Sequence, residues 1–294
     1  MTQNLKKADK QNYKYLGKKR SIIDGPEKLM GKAQYAGDLN FPGMMHVRLV
    51  LSQYAHAKVV NVSKVEALKI PGVKAVYTAE DLTCWKKISA SRTGALLARD
   101  ETVFVGHPIA AIVGSSPEAA MDGASCVEVT YEQLPVVSDI EMALQKDASL
   151  VWQSGIPRDE SDVSGDHAEV EHNDDKIEDL PNNVHSQNFT SYGDVDKAMS
   201  QADVVIERIY NTNVVHQGYL EPQNCVVVPD PMEGLTIYTS TQGPKSVHKD
   251  VARLLDLSHS SIKVVPMTIG GGFGGKTAVF IEPVALALSK KANR

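Results

Sequence analysis

Cysteine is scarce in this chain and does not cluster: Cys84, Cys126 and Cys225 stand alone, with no CxxC pair. An odd, scattered set offers neither a disulfide framework nor a ligand set for zinc or an iron–sulfur cluster. If electrons leave a reaction here, their carrier sits on another chain. Long apolar runs are also missing, since no stretch approaches the roughly 20 residues that span a bilayer. The N-terminal stretch MTQNLKKADKQNYKYLGKKR is basic but lacks the apolar run of a secretory signal. Nor is there a basic excess: 31 Lys and Arg face 36 Asp and Glu, a net charge of −5. Such a balance gives no field for nucleic acid. A cytoplasmic, globular protein without membrane or nucleic-acid partners is the expectation, and 294 residues suffice for one large or two medium domains.

Residues 1–20 read as a flexible polar lead-in. Apolar runs at 44–51, 59–62, 73–78 and 107–114 read as strands, and alternation over 127–134 adds another. Between them, Val62, Val65, Leu68 and Ile70 are spaced almost as on a helix before Pro71 and Gly72 stop it. Ser116 followed by Pro117 marks a second helix start. This mixture to about residue 145 predicts one α+β domain, spanning 21–145. Residues 146–185 form an acidic linker, in which ten acidic residues face two basic ones between Arg158 and Asp179. His167 and His172 fall there, more simply solvated than metal-bound.

A second domain follows over 186–294. Asp194 caps a short predicted helix, 204–215 reads as a strand, and two strands flank the turn Pro229-Asp230-Pro231. Val247, Val251, Leu254 and Leu255 make a helical stripe, 261–269 a strand, and 277–294 a closing helix.

Between that strand and that helix lies GGGFGGKT, Gly270 to Thr277, with five glycines in eight residues. Without side chains in the way, its amides can face an anion or an oxo group, and a helix N-terminus directly behind it would add positive potential. The string also fits GxxxxGK[ST], with Lys276 and Thr277 in phosphate and magnesium roles. Only 17 residues follow Thr277, however, and none is the Asp that a nucleotide site uses for magnesium. A third reading is a turn that merely lets strand and helix pack closely.

GGGFGGK after a strand, with TSTQGP some thirty residues before it, resembles the molybdopterin-binding region of the xanthine dehydrogenase and aldehyde oxidase family. So do Gly31–Val59, Ile70–Leu82, Val105–Val137, YGDVDKAMSQADVVIE and HQGYLEPQNCVV, in the same order. The resemblance covers nearly all of 20–294 apart from the acidic insert. It implies an α+β chain: a hammerhead-like α/β domain followed by the beginning of a molybdenum-cofactor-binding α+β domain.

By the same resemblance Gln242 approaches the molybdenum centre. Phe273 offers its backbone N–H to an oxygen there, with Gly271, Gly272 and Gly274 shaping the approach, and no side chain ligates the metal directly. A preorganised amide in a dry site is well suited to charge on such an oxygen. Purine-hydroxylating members carry Glu where this chain has the substrate-proximal Thr277, and Lys245 stands where His is common. His216 and Glu221 match a family signature and read equally as ligands or as packed polar groups. The general-base glutamate is expected outside this chain, and Glu282 is not in its motif. The implied chemistry is hydroxylation of a heteroaromatic or aldehyde carbon with water as the oxygen source. The cofactor is molybdenum-molybdopterin, in a form that can carry a cytosine dinucleotide. FAD and 2Fe-2S clusters are expected on partner subunits, beside a chain completing the molybdenum domain. A non-catalytic assembly subunit is the alternative. The closing helix is expected to leave Val284, Leu286 and Leu288 wanting a partner.

Overall fold

The computed structural model describes residues 14–82, 97–153, 183–184, 190, 192–230 and 234–294. Most of the lead-in, most of the acidic linker with His167 and His172, Cys84 and Pro231 lie outside them. The chain forms two compact units, one ending at Gln34 and the other running from Tyr35 to Arg294. The first holds α1 (Gly25–Leu29), a five-residue helix with Pro26 in its first turn.

The second unit opens with an antiparallel framework. Strands β1 (His46–Leu51), β2 (Ala57–Ser63), β3 (Val73–Thr78), β4 (Glu101–Thr102), β5 (Pro108–Gly114) and β6 (Glu128–Gln133) make two sheets, ordered β1-β5-β3 and β4-β2-β6. Strand β5 is apolar throughout because it is central and covered on both faces, and every residue from Ile109 to Gly114 is buried. Its two-residue period sends Ala110 and Ile112 into one cluster with Ala67 and Val76. Ala111 and Val113 enter a larger cluster with Ile237, Val247, Leu254 and Leu286. That second cluster joins the front half of the chain to the back half through a common core. Helix α2 (Pro117–Ser125) lies against β5 and β1. It starts where Ser116 accepts the Ala119 N–H at 3.2 Å, and Gly123 lets it approach closely, since a Cβ there would sit 2.7 Å from Val73.

Helices α3 (Ile140–Ala143) and α4 (Val195–Ser200) are short, α4 being capped by Asp194 as expected. The back half is built on β7 (Cys225–Asp230), β8 (Gly234–Thr239) and β9 (Ile262–Pro266), ordered β7-β8-β9. The first pair is antiparallel and the second parallel. A parallel pair requires a crossover, which α5 (Pro244–Leu255) supplies, burying the expected stripe Val247, Val251, Leu254 and Leu255. Helix α6 (Glu282–Ala292) packs on β7 and α5.

Four expectations need correction. The spacing over residues 62–73 does not give a helix: Val62 and Ser63 end β2, Val73 begins β3, and one 3-10 turn, Ala67–Lys69, lies between them. Residues 204–215 are not a strand; they lie exposed without a ladder partner among the described residues. The closing helix begins at Glu282 rather than at Thr277, where Glu282 Oε2 accepts the Phe280 N–H at 2.9 Å and Pro283 takes the first turn. Its positive end therefore does not adjoin the glycine loop. Finally, Val284, Leu286 and Leu288 are 3%, 0% and 3% exposed, already covered by this chain's own core.

Candidate cofactor-binding site

The glycine loop leaves β9 and runs through residues 270–275, held on two sides. On one side stands the turn Tyr219–Gln223. The Glu221 N–H donates to the Gly270 carbonyl at 3.1 Å. Glu221 Oε2 accepts the Gly270 N–H at 2.7 Å and the Lys276 ammonium at 2.8 Å. The Lys276 side chain is 0% exposed and that of Glu221 13%, so this is a buried ion pair. Lys276 Nζ also lies 4.9 Å from the centre of the Tyr219 ring. Gln223 Nε2 donates to the Tyr219 hydroxyl at 3.1 Å and to the Gly275 carbonyl at 3.3 Å. Entry and exit of the loop are thus fastened to one short turn.

On the other side is the segment after β8. Gln242 Oε1 accepts the N–H groups of Gly274 at 3.0 Å and Lys276 at 3.3 Å. Its own N–H donates to the Lys276 carbonyl at 2.8 Å, and Thr241 Oγ1 donates to the same oxygen at 3.2 Å. Two donors on Oε1 fix the orientation of the amide and leave Nε2 as a donor on an exposed residue. Gly272 must be glycine for this contact, because a Cβ there would lie 2.5 Å from Gln242 Oε1.

Within the loop, Gly271 and Phe273 are left-handed, with φ of 97° and 49°. For Phe273 that costs about 1–2 kcal/mol, and its side chain is 74% exposed. The amides of Gly271, Gly272 and Phe273 donate to no described residue, whereas the Gly275 N–H returns to the Gly272 carbonyl at 2.7 Å. Three successive free amides beside left-handed residues have the backbone pattern from which anion-binding concavities are built. Beside them Gln242 Nε2 adds a side-chain donor, so the arrangement fits an oxygen-rich, anionic group.

The structure brings Gln242, Gly271, Gly272, Phe273 and Gly274 together in one place. Thr277 is exposed and donates its hydroxyl to the Gly274 carbonyl at 3.1 Å, closing the loop. Glu221 is a packed partner of the loop. His216 is exposed, accepting the Gly218 N–H at 3.0 Å. Lys245 is exposed in the first turn of α5. Glu282 is 2% exposed and accepts the Thr239 hydroxyl at 2.7 Å, which makes it part of the core. Burial of the Cys225 thiol, reinforced by the Glu282 carboxylate, pushes its pKa well above the ordinary value. Sequence reasoning missed Tyr219 and Gln223, although both lie in HQGYLEPQ, whose polar and aromatic residues pointed to a site. An open depression of about 650 Å³ lined by Phe41, Met44, His46 and Ser115 contains none of these residues.

Lys276 also decides the nucleotide question. A phosphate-binding lysine must reach the ligand from a loop that opens directly into a helix. Here it is turned inward onto Glu221, and the helix starts six residues later. The site is an amide cradle between a strand and a clamp, outside any nucleotide-binding sheet.

Both halves of the chain are similar to known proteins. Residues 30–135 match the family model described as the aldehyde oxidase and xanthine dehydrogenase a/b hammerhead domain, and residues 177–294 match that of the molybdopterin cofactor-binding domain. The chain belongs to the xanthine dehydrogenase and aldehyde oxidase family. It is 29% identical over 272 residues to a probable xanthine dehydrogenase subunit of Bacillus subtilis, covering 92% of this chain and 33% of that one. It is 28% identical over 279 residues to the nicotinate dehydrogenase large molybdopterin subunit of Eubacterium barkeri, covering 92% and 58%. Among solved structures, quinoline 2-oxidoreductase from Pseudomonas putida superposes with a TM-score of 0.75 at 26% identity, covering 92% and 33%. The chain therefore spans between a third and three-fifths of the length of these relatives. Among the described residues, no helix is long and apolar enough to cross a membrane.

Proposed function

We propose that this chain forms the front of the molybdenum-binding part of a hydroxylase and supplies one wall of its molybdopterin site. The observation that carries the reading is the row of free amides at Gly271, Gly272 and Phe273 beside the fixed Gln242 amide. Phe273 N–H and Gln242 Nε2 would hold the group as hydrogen-bond donors, and Gly272 and Gly274 would leave room for it. The chemistry such a group supplies when bound is two-electron oxidation of a carbon with water as the oxygen source. This chain's residues hold and orient; they do not move the proton. Of the nearby carboxylates, Glu221 is committed to Lys276 and Glu282 to Thr239 and Phe280. The general base comes from the rest of the molybdenum domain.

A heteroaromatic or aldehyde carbon is the substrate class. Relatives named for nicotinate and quinoline support a nitrogen heterocycle, and Thr277 gives no acidic anchor for a purine. The cofactor carries a cytosine dinucleotide, and separate FAD and 2Fe-2S subunits take the electrons. The protein works in the cytoplasm, in domains spanning 21–145 and 186–294.

Molybdenum and nucleotide analysis of the chain, purified alone and with its assembled partners, tests the proposal. Molybdenum and cytosine nucleotide should appear in the assembly and fall at least tenfold with Gln242→Ala. An assembly that contains this chain but no molybdenum would establish the non-catalytic alternative.

A further inference from the structure

Two histidines meet where the chain passes from α5 to β9. His248 stands in the second turn of α5, and His259 opens the 3-10 turn His259–Ser261 that leads into β9. Their Nδ1 atoms are 3.4 Å apart, and the rings are tilted with centroids at 5.0 Å. The His248 ring is half-buried and held in place, because its Nε2 lies 3.0 Å from the His259 carbonyl and 3.2 Å from the Ile262 carbonyl. Carbonyl oxygens only accept, so Nε2 carries the proton. In the neutral imidazole Nδ1 of His248 is then a lone pair turned toward Nδ1 of the exposed His259. A hydrogen bond between the rings is one use of that pair, but 3.4 Å lies beyond the range of about 2.7–3.2 Å typical of N–H···O bonds. The separation fits the edge of a coordination tetrahedron better. Two metal–nitrogen bonds of about 2.0–2.1 Å span it at an angle of about 110°. A backbone carbonyl holding the far N–H is also what fixes the tautomer of a metal-binding histidine.

We propose that His248 and His259 form a surface site for zinc, each ligating through Nδ1. Imidazole nitrogen suits a borderline cation, whereas magnesium and calcium take oxygen. The tetrahedral edge favours zinc over copper(II), which prefers a square plane. Among the described residues no third His, Cys, Asp or Glu joins the pair. Water therefore takes the remaining positions, and the ion exchanges with solvent instead of being locked in as a structural zinc is. Occupancy ties α5 to the entry of β9. Gln242 lies just before α5 and the glycine loop follows β9, so the ion braces the crossover that joins the two walls of the cradle. The site uses no residue of the cradle and stands whether or not molybdenum binds.

The test is calorimetric titration of the full chain, stripped with EDTA, with zinc chloride, alongside the visible spectrum of the cobalt(II)-loaded chain. The parent should bind zinc and show the intense absorption of tetrahedral cobalt. At zinc roughly a hundredfold above the dissociation constant its melting temperature should rise by about 5 °C or more. His259→Ala removes an exposed ligand, and it should melt with the parent in EDTA. His248→Gln keeps an N–H for the two carbonyls while removing Nδ1. Each substitution should weaken zinc binding at least tenfold, abolish the zinc-dependent rise in melting temperature and remove the tetrahedral cobalt band. A parent that binds no zinc, or binding and stabilisation that survive both substitutions, overturns the proposal. An octahedral cobalt spectrum, or equal stabilisation by magnesium chloride, overturns it too. Half an ion per chain with a doubled mass in zinc overturns it in favour of a site shared between two copies.

Discussion

Replacing Lys276 with methionine keeps the shape of the side chain but removes the charge facing Glu221. Oε2 of Glu221 would retain the Gly270 N–H, 2.7 Å away, but lose the ammonium at 2.8 Å, while Oε1 is buried with no partner. An uncompensated buried carboxylate costs about 3–5 kcal/mol, a large part of the roughly 5–15 kcal/mol that holds a domain together. The expected fall in melting temperature is about 6 °C or more. Adding Glu221→Leu removes the orphaned charge too, so the double variant should regain most of that loss, giving a coupling of about 2 kcal/mol or more in a double-mutant cycle. Thermal and urea unfolding followed by circular dichroism measure all four proteins. A Lys276→Met variant within about 0.5 kcal/mol of the parent, the range of ordinary surface substitutions, would refute the buried-pair argument. Additive single and double variants would refute it equally.

Gly272→Ala should push Gln242 away from the loop, because the new methyl would lie 2.5 Å from Oε1. Faster amide exchange at Gly274 and Lys276 reads this out. Asp81 accepts hydrogen bonds from Lys64 at 2.5 Å and from the Thr78 N–H at 2.8 Å. Partial burial works to raise its pKa, but these donors outweigh it and hold the value below the ordinary one. Its stabilising contribution is therefore complete above the ordinary carboxylate range and lost as pH falls through the lowered folded value. Asp81→Asn should accordingly flatten the acid limb of melting temperature against pH. Cys225, half-buried on β7 and with its thiol pKa raised, should alkylate more slowly at neutral pH in the folded protein than after unfolding, as timed mass spectrometry would show. Mg-ATP should leave the melting temperature unchanged, since Lys276 is committed to Glu221.

Much of this protein is local in origin and could be read along the chain. The Ser116 and Asp194 caps, the α5 stripe and the apolar run of β5 each depend on neighbours within a few residues, and each appears where the pattern placed it. GGGFGGK could likewise be recognised as an amide-presenting loop, because its glycines put no side chain in front of the backbone N–H groups. What no local pattern carries is the partner of each group. Lys276 could have faced a phosphate or a carboxylate, and only the fold brings Glu221, 55 residues earlier, beneath it. Val284, Leu286 and Leu288 read as an apolar face either way, but tertiary packing decided that this chain's own core covers them. Residues 204–215 carry strand chemistry, yet a strand exists only when another backbone accepts its hydrogen bonds. Propensity resides in the residue, whereas burial and pairing belong to the assembled structure.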